Sequence, residues 1–197
     1  MITTIIFDLA EVYLYGMKNV ERRIEKLLGI SIPYGIDEGE ELHKFFRGEI
    51  TEEVLWKWII NNNHWSIDID TLKRLVRENM TEVEGTRSII ENLRKNGYTL
   101  GLLSVHGKEW IKYCEEKFDY HRLFHSVMYS FEVGVCKPDP KAFQLILDKL
   151  RVNPAECPFI DDNMVNIEAA KKLGINGIQF KNPVQLREEL KIAGVRI

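Results

Sequence analysis

Asp8, Ser104, Lys137 and the pair Asp161-Asp162 are the residues of this chain whose types and positions could do chemistry together. Each stands at or just past the end of a short apolar run. Asp8 follows Ile2-Thr3-Thr4-Ile5-Ile6-Phe7, and Ser104 follows the run from Tyr98 to Leu103. Ser126-Val127-Met128-Tyr129 reaches Ser130, with Lys137 shortly after in Cys136-Lys137-Pro138-Asp139-Pro140. Cys157-Pro158-Phe159-Ile160 ends on Asp161-Asp162. Side chains of these kinds can handle a phosphoryl group. A carboxylate at position 8 can attack phosphorus and form an aspartyl-phosphate. A dianionic phosphate repels that carboxylate, so a cation must stand between them. Asp161 and Asp162 offer further acidic ligands for one, and Mg²⁺ suits a few carboxylates plus water and substrate oxygens. Ser104 can donate a hydrogen bond to a phosphoryl oxygen, and Lys137 can neutralise the phosphoryl charge and orient Asp8. Phosphoryl transfer asks mainly for positioning and electrostatics, which such a set could supply.

The apolar runs read as buried strands of a parallel sheet. Open α/β sheets bind ligands at the carboxyl ends of their strands, so the runs place these residues on one rim. From about Glu84 helices and strands alternate. Ile89, Ile90 and Leu93 share a helix face that stops near Asn96-Gly97, and a helix from about Lys108 carries Trp110, Ile111 and Cys114. Further helices run from Lys141 to Leu150, from Val165 to Leu173 before Gly174, and from Val184 to Ile192, with a last strand from Ile175 to Phe180. This alternation predicts an α/β fold with a doubly wound parallel sheet.

Between Asp8 and about Thr99 no strand pattern recurs. Four helical stripes fill the gap: Val20, Ile24, Leu27 and Leu28; Leu42, Phe45 and Phe46; Val54, Leu55, Trp58, Ile59 and Ile60; Leu72, Leu75 and Val76. Breaks fall at Gly29 to Pro33, at 47–50 and at 61–64, and Thr51-Glu52-Glu53 is an N-cap followed by first-turn acids. Short helices without a strand between them predict a small helical bundle inserted after the first strand. The expected division is a core of residues 1–14 and 84–197 with a helical cap at 15–83.

Composition bounds the rest. The chain has 197 residues, 45% hydrophobic and 29% charged, with a net charge of −3. Those values suit an ordinary globular protein and offer no basic field to nucleic acid. No apolar run approaches membrane-spanning length, and the first residues lack a signal peptide's basic stretch and cleavage site. Cys114, Cys136 and Cys157 form no CxxC pair, which suggests free, inert thiols in a reducing compartment. The cytoplasm is the expected location, and the oligomeric state is left open.

In order and surroundings these motifs resemble the haloacid dehalogenase-like (HAD) hydrolase superfamily. The stretches that carry the resemblance are Ile5-Ile6-Phe7-Asp8-Leu9, Gly101-Leu102-Leu103-Ser104, residues 130–140, and Phe159-Ile160-Asp161-Asp162-Asn163, continuing through Asn166, Ala169, Ala170 and Gly174. The likeness covers essentially the whole chain, with a Rossmann-like core and the family's small cap after the first strand. It implies a Mg²⁺-dependent phosphatase acting on a small phosphorylated metabolite. By this resemblance Asp8 is the nucleophile, and Ser104 and Lys137 bind the phosphoryl group. Asp162 is a direct Mg²⁺ ligand, and Asp161 acts through water or as an orienting carboxylate. The backbone carbonyl of Ala10 is a further ligand.

One position departs from the family pattern. Family phosphatases usually carry a second aspartate two residues after the nucleophile, which protonates the leaving group, and here that residue is Ala10. Losing a general acid–base costs roughly 10²–10⁴ in rate. Glu11 or a cap residue could substitute, activity could persist on good leaving groups, or the chain could be a weakly active or non-catalytic phosphate binder. The phosphonate-cleaving branch shares Asp-x-Ala but needs a cap lysine, and Lys44, Lys57 and Lys73 lack a fitting context. The metal-free dehalogenase branch lacks the paired acids.

The remaining residues invite plainer readings. Asp139 is expected to cap the helix after Pro140, and Asp161-Asp162 could cap the next one. His106 is expected to be a solvated loop residue, and His43 and His64 surface or packing residues. At least one of Trp56, Trp58 and Trp65 belongs in a helical core, and Tyr13 and Tyr15 should lie where core and cap meet.

Overall fold

In a computed structural model of the chain, residues 1–32, 36 and 39–197 are described. Five parallel strands form the sheet: β1 (Thr4–Phe7), β2 (Thr99–Ser104), β3 (Ser126–Tyr129), β4 (Phe159–Asp161) and β5 (Gly177–Gln179). Their order is β3-β2-β1-β4-β5, so the chain runs outward from β1 in one direction and then the other. Ligand crevices form where the strand order reverses in this way, here beside β1.

Helices cover both faces, and period-2 alternation decides which residue meets which. Ile5 and Phe7 of β1, Leu100 and Leu102 of β2 and Ile160 of β4 pack on one face. They meet α5 (Thr86–Lys95), α6 (Lys108–Phe118) and α10 (Pro183–Ile192). Ile6, Leu103 and Phe159 point the other way, onto α8 (Pro140–Leu150) and α9 (Met164–Lys172). All four residues of β1 are buried, which explains its continuous apolar run. The strands match the predicted runs apart from a residue or two at their ends.

Between β1 and α5 lie α1 (Val20–Leu28), α2 (Gly39–Phe46), α3 (Glu52–Asn62) and α4 (Ile69–Asn79). α1 packs on α4, and α3 on both α2 and α4. Gly29 ends α1 in the left-handed region, as the predicted break requires, while Pro33 of that break lies outside the described residues. Two stripe positions are corrected. Leu27 is half exposed, and Val54 is 47% exposed while Leu55, Trp56 and Ile59 are buried. The face of α3 is rotated because Glu52 and Trp56, one turn apart, both turn inward.

Glu52 explains that rotation. Its carboxylate is 3% exposed and takes a fork of two 2.6 Å contacts from Arg77 on α4. The indole N–H groups of Trp56 and of Trp110 on α6 also donate to it, at 3.1 and 2.7 Å. Burial would raise its pKa, but Arg77 and the two indoles outweigh burial and hold it below the usual glutamate value. One carboxylate thus ties α3 and α4 to a helix on the sheet.

Phe45 of α2 makes a second tie. A Cβ on Gly107 would sit 1.9 Å from the Phe45 ring, so only glycine admits this approach. The ring also packs edge-on against Trp110, 4.9 Å between centroids. Consequently the buried residues of α1–α4 belong to the same apolar cluster as one face of the sheet.

Removing one partner of a buried ion pair strands the other charge. Arg77→Met is therefore expected to lower unfolding stability by about 3 kcal/mol, read as a lower urea midpoint. A loss no larger than that of Arg74→Met would refute the role given to Glu52.

Candidate active site

Parallel pairing sets the rim. Phe7 stands opposite Leu102 and Ile160 in the neighbouring strands, so Asp8 emerges level with Asp161. The Asp8 N–H donates to the Ile160 carbonyl at 2.8 Å, holding the chain in register one residue beyond β1. Ser104 is the last residue of β2. Lys137 arrives from the loop between α7 (Ser130–Val133) and α8. Asp139 caps α8, accepting from the Lys141 N–H at 2.8 Å with Pro140 at the first helical position, as expected.

Four charged side chains meet there. The Lys137 ammonium lies 2.8 Å from Asp8 Oδ1 and 2.6 Å from Asp161 Oδ2. It also sits 5.2 Å from the centre of the Phe159 ring. Carboxylate oxygens of Asp8, Asp161 and Asp162 all lie within 4.8 Å of one another. The site is largely sealed, with Asp8 6%, Lys137 8% and Asp161 0% exposed.

The three aspartates differ in what already holds them. Asp161 Oδ1 accepts from the Asn163 N–H at 2.8 Å, Asn166 Nδ2 reaches both of its oxygens at 3.0–3.1 Å, and Lys137 takes Oδ2. Both of its oxygens are thus already satisfied. Asp8 Oδ1 takes the Leu9 N–H at 2.7 Å as well as Lys137, and no donor among the described residues reaches Oδ2. The half-buried Asp162 carboxylate has no hydrogen-bond or ion-pair partner among the described residues. Ser104 Oγ is buried with no partner either. Such an orphan is costly unless a ligand satisfies it.

Charge crowding shows in the titration behaviour. Burial pushes the Asp8 carboxyl up to about 7, against the pull of Lys137. Burial opposes the Lys137 ammonium, but Asp8 and Asp161 outweigh it and raise its pKa. Burial, then Asp161 and Glu11, raise that of Asp162. A cation among these carboxylates would relieve the same strain, and a hard divalent ion suits an all-oxygen set.

Several expectations need correction. Asn163, not the Asp161-Asp162 pair, caps α9 by accepting from the Val165 N–H at 2.9 Å, because Asp161 is turned toward Lys137. Ser130 does not join the carboxylates. It accepts the His106 N–H at 3.1 Å, fastening the loop after Ser104 to the end of β3. His106 is no solvated loop residue but 5% exposed and edge-on to Trp110, 5.5 Å between centroids, because α2 closes over that loop. Burial pulls its pKa down to about 4.

Ala10, two residues past Asp8, is half-buried and bridges to Leu14. Glu11 adopts a left-handed backbone, φ 58°, and its Oε1 accepts the Gly16 N–H at 3.1 Å. It lines a cavity together with Asp162. Tyr13 is fully buried with its hydroxyl on Glu82, whereas Tyr15 is 46% exposed in the wall of that cavity. Trp56 is a core residue, and His43 and His64 are exposed. Motif reading did not foresee the Asn166 clasp on Asp161. Asn166 belongs to the stretch that carries the family resemblance, but that reading gives its side chain no role.

Residues 5–180 match the sequence family described as haloacid dehalogenase-like hydrolase. Flavin mononucleotide hydrolase 1 of Arabidopsis thaliana is 25% identical over 154 residues, 78% of this chain and 62% of that protein. Glyceraldehyde 3-phosphate phosphatase of Pyrococcus furiosus is 33% identical over 105 residues, 52% of this chain and 43% of that protein. The chain thus spans under two thirds of either relative. A HAD family enzyme of Bacteroides thetaiotaomicron, solved with magnesium and inorganic phosphate, superposes with a TM-score of 0.74 at 20% identity, covering 92% of this chain and 96% of that one. No described helix is long and apolar enough to cross a membrane.

Burial of His106 has a consequence in acid. The folded ring stays neutral down to about pH 4, while the unfolded ring takes a proton near 6.5. The unfolded state then binds more protons, so stability falls as pH drops from 6.5 toward 4, by about 3 kcal/mol for this group. His106→Phe should flatten the difference between urea midpoints at pH 7 and pH 4.5. An unchanged difference would show that His106 titrates normally.

Proposed function

The chain belongs to the haloacid dehalogenase-like hydrolase family, and on that premise we propose that it is a Mg²⁺-dependent phosphatase of small phosphorylated metabolites. Asp8 is the nucleophile. Ser104 and Lys137 hold the phosphoryl group. Asp8, Asp162 and the Ala10 carbonyl hold the metal, with Asp161 placing Lys137 from behind. The observation that carries this reading is a buried ammonium held between two carboxylates, a third carboxylate within 4.8 Å of both, and a buried, partnerless hydroxyl on the next strand. Residues 15–83 act as the cap and residues 1–14 with 84–197 as the core.

Bound among Asp8 and Asp162, Mg²⁺ supplies the positive charge that lets a dianionic phosphate approach a carboxylate. The protein's own groups do the rest. Asp8 Oδ1 is fixed by the Leu9 N–H and Lys137, which leaves Oδ2 to attack phosphorus. Ser104 Oγ donates to a phosphoryl oxygen and ends its own isolation. Lys137 offsets the charge that builds on the equatorial oxygens. The P–O bond to the alcohol breaks, leaving the phosphoryl group on Asp8. Water then attacks that phosphorus and frees Asp8. The sealed rim limits bulk water during these steps.

Ala10 brings no proton to the departing alcohol, so the site suits esters whose alcohols leave readily. Ala10 also favours a second reading, a phosphate-binding protein with weak or no turnover. An activated aryl phosphate separates the two. Mg²⁺-dependent release that stops on adding chelator supports the enzyme. Silence, with Mg²⁺-dependent binding of inorganic phosphate, supports the binder.

Asp8→Asn is expected to lower turnover of an aryl phosphate by about 10³-fold or more while leaving the circular dichroism spectrum unchanged. Full activity in that variant would remove Asp8 from the mechanism. Ala10→Asp is expected to speed poor leaving groups by about 10²-fold or more and good ones little. If alkyl and aryl phosphates gain equally, the missing proton donor is not what limits this chain.

A further inference from the structure

A polar cavity opens beside the carboxylate cluster on the β4–β5 side of the sheet. It has a volume of about 300 Å³, and Asp162 forms part of its wall. Glu11, Tyr15, Lys18, Lys181 and Asn182 form much of the rest. A neighbouring hollow of about 330 Å³ shares Glu11, Tyr15 and Lys18 with it. Asp8, Ser104 and Lys137 are nearly sealed, and Asp162 is the aspartate of the cluster that this opening reaches.

The charges around the cavity are uneven. Lys18 and Lys181 are exposed, and neither ammonium forms an ion pair among the described residues. Glu11 is the one acid in the wall besides Asp162, and one of its oxygens is committed to Gly16. If Asp162 is reserved for a cation, two free ammonium groups face a single carboxylate. The first turn of α10 begins in the same wall at Pro183, and its positive end adds to the field. The Tyr15 hydroxyl stands nearby without a partner among the described residues.

From this we infer that the cavity is an anion subsite for the leaving group, and that the preferred phosphate esters carry a second anionic group, a carboxylate or a second phosphate. The inference rests on the phosphatase reading above and narrows it. The reacting phosphate sits among Asp8, Ser104 and Lys137. The second anion meets Lys18, Lys181 and Tyr15. A cavity at the small end of ligand pockets fits a short phosphoacid better than a nucleotide.

A matched pair of esters tests it: 2-phosphoglycolate, with a carboxylate, and ethylene glycol monophosphate, with a hydroxyl on the same two-carbon skeleton. With Mg²⁺, kcat/KM for the carboxylate ester is expected to exceed that for the neutral one at least tenfold. Changing both lysines (Lys18→Gln with Lys181→Gln) should bring the ratio close to one, and changing both to Arg should restore it. A wild-type ratio near one, or a ratio untouched by the double glutamine change, overturns the subsite. Thermal-shift titration of the Asp8→Asn protein with Mg²⁺ and each ester separates the two failures. Stronger stabilisation by the carboxylate ester, with no hydrolysis by the wild type of either ester or of an activated aryl phosphate, overturns only the phosphatase reading. Equal stabilisation by both esters overturns the subsite itself.

Discussion

The contact on which this site turns is the buried ammonium of Lys137 between Asp8 and Asp161. An isolated charge at that depth would be very costly, and a lysine between two aspartates is tolerable because each group is compensated. The arrangement still leaves one negative charge in excess, and Asp162 adds a second. Burial raises the pKa of Asp8 and of Asp162, and the neighbouring carboxylates add to it. The surplus is also what a divalent cation and a phosphate would together use. The proposed chemistry is therefore the relief of an electrostatic conflict built into the fold.

The conflict holds its shape because each charged group is aimed by backbone. Asp8 is pinned by the register of β1 against β4, and Asp161 by its own strand and by Asn163 and Asn166. Lys137 comes on a loop that Asp139 and Pro140 convert promptly into α8. Side chains set on strand ends and helix starts lose less entropy on binding than side chains on free loops, which suits a reaction that depends on position.

The inserted helices share in this order. Glu52 fastens α3 and α4 to Trp110, Trp110 packs against His106, and Phe45 occupies the space over Gly107. Ser130 holds the same loop from below. The partnerless Ser104 lies three residues before Gly107, so the apolar contacts of the insertion and the polar rim meet in one short segment. The opening beside Asp162 lies on the opposite side of β1, where charge rather than apolar packing lines the wall.

Local chemistry alone determined the strand ends, the order of the motifs and the membership of the cluster. Apolar runs that stop on Asp8, Ser104 and Asp161 can be read directly, because a buried parallel strand must be apolar and must end where polar groups resume. Helix caps such as Asp139 were legible for a similar reason, since a cap depends on neighbours in the chain. The family resemblance already gave Asp161 and Asp162 different roles, but only the tertiary structure supplied the physical reason, the contacts that occupy one and leave the other free. Asp161 and Asp162 are identical and adjacent, and they part company because Lys137 and Asn166 approach one and not the other. The same holds for His106, Glu52 and Trp56, whose burial is imposed by helices distant in sequence. Contacts across long separations depend on how elements pack, and no local pattern records that.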